Sequence, residues 1–146
     1  MRSGAYRYVV GKQLVARAVV EAFIDCFGGT ALRDVDALFM DLQYHFDPEA
    51  EARAQSDGLR QRRSRAAGFI STLDLSAVGD VDRLLRAISV ALIDWEREEG
   101  DAEWGMLKRL RRNLTASGLA WDGTRLTRLP ARRSRRTLTA WQSSRM

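Results

Sequence analysis

Between residues 81 and 98 the apolar side chains Val81, Leu84, Leu85, Ile88, Ala91, Leu92 and Trp95 return every three or four positions. That period places them on one stripe of an α-helix, with charged residues on the other side, and strands cannot use it. The same spacing recurs elsewhere. Val10, Leu14, Val15, Ala18, Val19, Ala22, Phe23 and Cys26 predict a helix over 9–27, ended by Gly28-Gly29 in the left-handed conformation open to glycine. Thr30 is placed to cap a second helix whose inner face is Leu32, Val35, Leu38, Phe39, Leu42 and Phe46.

Residues 47–58 contain no large apolar side chain, so the expectation there is an exposed loop with at most one helical turn started by Asp47-Pro48. A third helix is predicted over 61–72, burying Ala66, Phe69 and Ile70, and Asp80 is the expected cap of the helix over 81–98. A last helix over 102–117 turns Trp104, Leu107, Leu110 and Leu114 inward and stops at Gly118. Beyond it, Asp122-Gly123 between alternating apolar positions predicts a hairpin with a two-residue turn. The fold class is therefore mainly α: a bundle of about five helices over residues 1–129, with a short C-terminal β-hairpin. A basic tail follows over 130–146, where Trp141 offers an apolar anchor.

Composition limits what such a bundle can do. One cysteine, Cys26, forms no disulfide within the chain, and its neighbours Phe23, Ile24 and Phe27 suit a buried thiol in a reducing, cytoplasmic setting. No apolar run reaches the ~20 residues of a bilayer-spanning helix, so no membrane role is expected. The single histidine, His45, has no second imidazole with which to share a metal. It also lacks the Arg-x4–6-His spacing of helical-bundle ribonucleases, because Phe39, Met40 and their neighbours occupy the required distance and Arg33 is too far away. Asp34, Asp36 and Asp41, or Asp80 and Asp82, read as solvated faces and caps rather than catalytic pairs. The glycines do not follow a phosphate-cradling pattern. No cofactor, metal or enzymatic activity is expected.

The net charge of +5 is unevenly spread. Residues 106–146 carry eleven cations and one acid, Asp122, whereas 21–60 and 67–105 each carry nine acids against three arginines. Two basic groups stand out. Arg62, Arg63 and Arg65, with Arg60, begin the third helix, where cations oppose the helix dipole at a cost of some tenths of a kcal/mol each. They answer either to acidic helices of the same bundle or to an external partner. Lys108, Arg109, Arg111 and Arg112 on the last helix, with Arg132, Arg133, Arg135 and Arg136 in the tail, are candidates for partner or nucleic-acid contact, the latter through phosphate neutralisation.

Residues 61–126 add a resemblance. Arg62-Arg63-x-Arg65 is followed by Phe69, by Leu73-Asp74, and by a helix bearing Val81, Leu84 and Leu85 that ends near an acidic run. A last helix with Leu107, Leu110 and Leu114 then leads to Gly118, Trp121, Gly123 and Leu126. This series resembles the helical accessory domain of bacterial AbiJ-type abortive-infection proteins. The resemblance spans just under half of the chain and implies an adaptor or sensor module in phage defence, with no catalytic residues to carry over. Such modules are usually fused to an effector; the expectation for this chain is a stand-alone partner of one or an excised domain. A protein partner or effector is the leading expectation, nucleic acid the alternative, and self-association is left open.

Overall fold

A computed structural model describes residues 15–99 and 105–128. Six helices occur among them: α1 (Arg17–Cys26), which runs into a 3-10 turn (Phe27–Gly29), α2 (Leu32–Asp41), α3 (Pro48–Ser56), α4 (Gln61–Ile70), α5 (Val78–Glu99) and α6 (Gly105–Ala116). An antiparallel hairpin of β1 (Leu119–Trp121) and β2 (Leu126–Arg128) closes the described chain. The expected mainly-α bundle with a terminal hairpin is what the chain forms, although several boundaries differ.

The expected helix start at residue 9 lies outside the described residues. Ala16 is extended, with ψ 146°, and α1 begins at Arg17. Val19, Ala22, Phe23 and Cys26 are buried, but Ala18 faces solvent. At the other end neither Gly28 nor Gly29 adopts positive φ. Phe27, 1% exposed, is held 5.0 Å from the Phe23 ring and 5.1 Å from Trp95, and the chain tightens into a 3-10 turn to keep it there. Gly28 leaves room for the Arg63 guanidinium instead: a Cβ at that position would lie 2.7 Å from Nη2 of Arg63, which would have to shift. Thr30 does not cap α2, because the N-cap position falls on Ala31 and makes no side-chain hydrogen bond.

α2 stops at Asp41, earlier than the apolar stripe implies. Gln43 takes φ 63°, the Tyr44 N–H donates to the Phe39 carbonyl at 2.9 Å and the Gln43 N–H to that of Met40 at 2.9 Å. This is a Schellman closure with glutamine where glycine is usual, and the left-handed residue costs ~1 kcal/mol. The accompanying contact between Tyr44 and Phe39, 5.0 Å between ring centroids, offsets it. Arg83 of α5 clamps the turn by donating to the Gln43 carbonyl at 2.7 Å, while the Tyr44 hydroxyl donates to the Arg83 carbonyl at 2.8 Å. His45 and Phe46 therefore lie beyond the helix.

The expected loop after residue 47 is largely α3. The Asp47 carboxylate accepts from the Glu49 and Ala50 N–H groups at 3.0 and 3.3 Å, and Pro48 sits at the first helical position. Ala50 and Ala54 supply the buried face, and their small side chains let α3 lie close on α4. The Asp47 N–H reaches the Gly68 carbonyl at 3.1 Å, and a Cβ on Gly68 would lie 2.5 Å from the Phe46 ring.

α5 begins at Val78, so Asp80 lies inside its first turn and accepts the Asp74 N–H at 2.7 Å instead of capping its own helix. In α6, Leu107, Leu110 and Leu114 are buried as expected and Gly118, at φ 82°, ends the element; Trp104 is outside the described residues. The hairpin pairs Trp121 with Leu126, so its connection has four residues, Asp122 to Arg125, rather than two. The Asp122 carboxylate shapes it by accepting the Arg125 and Thr124 N–H groups and the Thr124 hydroxyl, and these donors hold its pKa down to about 2. α5 supports the short strands: the Leu126 N–H donates to Ser89 Oγ at 3.2 Å, and the Trp121 indole donates to Glu96 at 3.0 Å. One apolar core joins all of this around α5, and a chain of rings from Trp95 through Phe27 and Phe39 to Phe69 runs through it.

Candidate functional surfaces

Arg62, Arg63 and Arg65 at the start of α4 pack against other elements of the bundle. Arg65 donates from Nε to Glu51 of α3 at 2.7 Å and from Nη1 to Asp36 of α2 at 2.8 Å, so one guanidinium ties three helices. Arg62 donates to the Gly28 carbonyl at 3.1 Å, and the Arg63 guanidinium covers Gly28. Of the cations that oppose the α4 dipole, Arg65 is thus offset by acids of α2 and α3 and Arg62 by a carbonyl from the turn after α1, whereas Arg63 Nε is buried without a hydrogen-bond partner among the described residues.

The two side chains singled out for their chemistry are set in opposite environments, Cys26 buried and His45 exposed. The Cys26 thiol is buried, approaches the Met106 carbonyl at 3.5 Å, and has its pKa pushed up to about 12, chiefly by desolvation and then by Asp25. Such a thiol stays protonated at neutral pH and is a poor nucleophile. His45 is exposed on the segment between α2 and α3.

The four cations of α6 differ in their exposure. Arg109 meets Asp25 of α1 at 2.7 Å and Arg111 meets Glu96 of α5 at 2.8 Å. Lys108 and Arg112 are exposed on an open face that also carries Asn113 and Thr115. Arg132, Arg133, Arg135 and Arg136 lie outside the described residues.

A second surface emerges only in the folded chain. α2 and α5 leave between them a groove of about 680 Å³, closed at one end by the turn after α1. Its lining mixes polar and apolar surface: Leu38 of α2, Leu42 just past its end and Val90 of α5 are partly exposed, and Phe27, Ala91 and Trp95 lie buried beneath them. Its rim is acidic: Asp34 and Asp41 on one side, Asp94 and Glu98 on the other, with no lysine or arginine among the lining residues. All four carboxylates are exposed, and none makes an ion pair among the described residues. Asp94 and Glu98 stand four apart on one helix, a like-charge spacing that costs some tenths of a kcal/mol, and Glu98 in the last turn opposes the α5 dipole as well. Glu96, two residues away, is answered internally by Arg111 and Trp121. The rim residues have no such answer.

The sequence signal for this surface is present but diffuse. Asp34, Leu38, Asp41 and Leu42 fall on one flank of α2, as do Val90, Asp94 and Glu98 on α5. That the two flanks face each other depends on how the helices diverge. Comparison with protein-family models, with curated proteins and with solved structures gives no match to this chain. Among the described residues, no helix is long and apolar enough to cross a membrane.

Proposed function

We propose that this chain is a non-enzymatic protein-interaction module, an adaptor or sensor in a bacterial antiphage defence or regulatory assembly. The groove between α2 and α5 carries this reading. Its four exposed carboxylates supply a charge pattern that folding alone leaves unanswered, and the partly exposed Leu38, Leu42 and Val90 between them offer a small apolar contact. The defence setting rests on the resemblance of residues 61–126 to the accessory domain of AbiJ-type proteins.

The test is phage challenge of the native host carrying the wild-type gene, a deletion, or the double variant Asp34→Lys with Asp94→Lys. Both substitutions are exposed, and circular dichroism checks that the fold is kept. Like-charge contacts across an interface cost several kcal/mol, so the reversed groove should lose partner affinity by on the order of 100-fold and protect no better than the deletion. Full protection by the variant, or a deletion without effect on plaque number, refutes the reading.

The exposed Arg112 favours nucleic-acid binding as a second reading, with the neighbouring Lys108 and the arginines of 132–136 as further candidate phosphate contacts. DNA and RNA affinities measured across a salt series decide it. Lys108→Glu with Arg112→Glu should lower the slope of log K against log salt by about 1–2. A flat salt dependence excludes this reading.

A further inference from the structure

We propose that residues 129–146 of this same chain occupy the acid-rimmed groove between α2 and α5 when no partner is present. The proposal concerns the resting state of the groove, so it stands or fails separately from the defence reading.

The acidic rim asks for cations and excludes carboxylate side chains, and the partly exposed Leu38, Leu42 and Val90 give room for a small apolar contact. Residues 129–146 contain Arg132, Arg133, Arg135, Arg136 and Arg145, no Asp or Glu, and Leu138 and Trp141 as apolar anchors. Among the described residues, Arg65, Arg109 and Arg111 are paired with carboxylates outside the groove, while Arg83 and Arg86 line a separate hollow beside Asp41 and Leu42. The N-terminal segment is a weaker match: residues 1–14 carry only Arg2, Arg7 and Lys12. They also enter the fold at the start of α1, a helix of ten residues whose opposite end leads to the groove-lining Phe27.

Attachment favours the C-terminal segment too. β2 is fastened to α5 by the hydrogen bond from the Leu126 N–H to Ser89, the residue next to the groove-lining Val90. From there a chain spans up to ~3.3–3.6 Å per residue, so residues 129–146 could cover roughly 60 Å, enough to reach the whole groove. A short tether holds a segment at an effective concentration of roughly 1 mM, so an intrinsic dissociation constant of only ~100 µM would fill the groove about nine-tenths of the time. Four unpaired carboxylates facing five arginines make such a contact sensitive to salt.

The experiment uses the full chain with Ser143→Cys carrying a nitroxide. The native thiol, Cys26, is buried and protonated, so the label goes to the introduced site. Paramagnetic broadening of backbone amides is then mapped at low and high salt. Ala37, Leu38, Asp41, Val90 and Asp94 should be broadened at low salt, and the signals should recover at high salt. They should recover as well when Asp34→Lys, Asp94→Lys and Glu98→Lys are introduced together. Groove amides that stay sharp, or broadening centred on α6, overturn the proposal. Broadening seen only between molecules, when isotope-enriched unlabelled chain is mixed with unenriched labelled chain, overturns it as well, because the occupant is then a second copy. The unmodified groove and the salt series separate these outcomes even if the triple variant fails to fold, and a groove without the tail leaves the phage-challenge test untouched.

Discussion

Replacing Phe39 by alanine should destabilise the bundle by about 3–5 kcal/mol, the range for truncating a fully buried aromatic side chain. The ring is 0% exposed and touches three others: Phe69, stacked at 5.0 Å, Tyr44 at 5.0 Å and Phe27 at 5.5 Å. Removing it leaves a cavity where α2, α4 and the turn after α1 meet. It also strips the Schellman closure of the contact that holds Gln43 at positive φ. A bundle of this size has a total stability of roughly 5–15 kcal/mol, so the loss is a large fraction of it, equivalent to a fall in Tm of about 12 °C or more. Urea and thermal unfolding of the variant measure both. Met40→Ala, at the neighbouring position and 64% exposed, is the control and should stay within ~0.5 kcal/mol of wild type. A Phe39→Ala variant destabilised by less than ~1 kcal/mol would show that the rings do not form one packed unit.

What the sequence makes legible follows from which forces act locally. The stripes of α5 and α6 are local patterns, and Val81, Leu84, Ile88, Leu92, Leu107, Leu110 and Leu114 are buried as the periodicity predicts. α3 is illegible by the same rule, because its buried face is only Ala50 and Ala54 and its stability comes from the Asp47 cap and from contact with α4. The end of α2 is hidden because its signal is glutamine in a glycine position, which only the packing of Tyr44 on Phe39 explains. The hairpin turn differs from expectation because Asp-Gly suits a two-residue loop, whereas the Asp122 carboxylate gathers three donors and holds four residues in place.

Charge placed against a helix dipole is the more informative clue. Arginines at the start of α4 are legible as residues answering to something besides their own helix, and Asp36, Glu51 and the Gly28 carbonyl are the answers for Arg65 and Arg62. The same logic applied to the acids near the end of α5 resolves Glu96, through Arg111 and Trp121, but leaves Asp94 and Glu98 standing over the groove. Which acids remain unanswered is not readable from the chain, because it depends on the angle at which α2 and α5 separate.

Stability should also fall steeply in alkali, and Cys26 fixes the direction. Burial raises the pKa of its thiol from 9.0 to about 12 in the folded chain. Below pH 9 both the folded and unfolded chains keep the proton, and the full stability is present. Between pH 9 and 12 the unfolded chain gives up a proton that the folded chain retains, so the unfolded state gains and stability drops by at most about 1.4 kcal/mol per pH unit for this one group. Tyr44 acts in the same sense from about pH 10, because burial raises its phenol as well, with Asp80 adding to the rise and Arg83 opposing it. Together the two groups should remove a few kcal/mol by about pH 11.5, a large part of what the bundle has. Urea unfolding at intervals from about pH 8 to about pH 11.5 measures the slope. Cys26→Ala separates the thiol from every other alkaline titration: the small cavity lowers stability at all pH values, but the slope should flatten by the share of one proton. A variant whose stability runs parallel to wild type above pH 9 would mean that the thiol ionises as readily in the folded chain as in the unfolded one, and is therefore not sealed beneath α6.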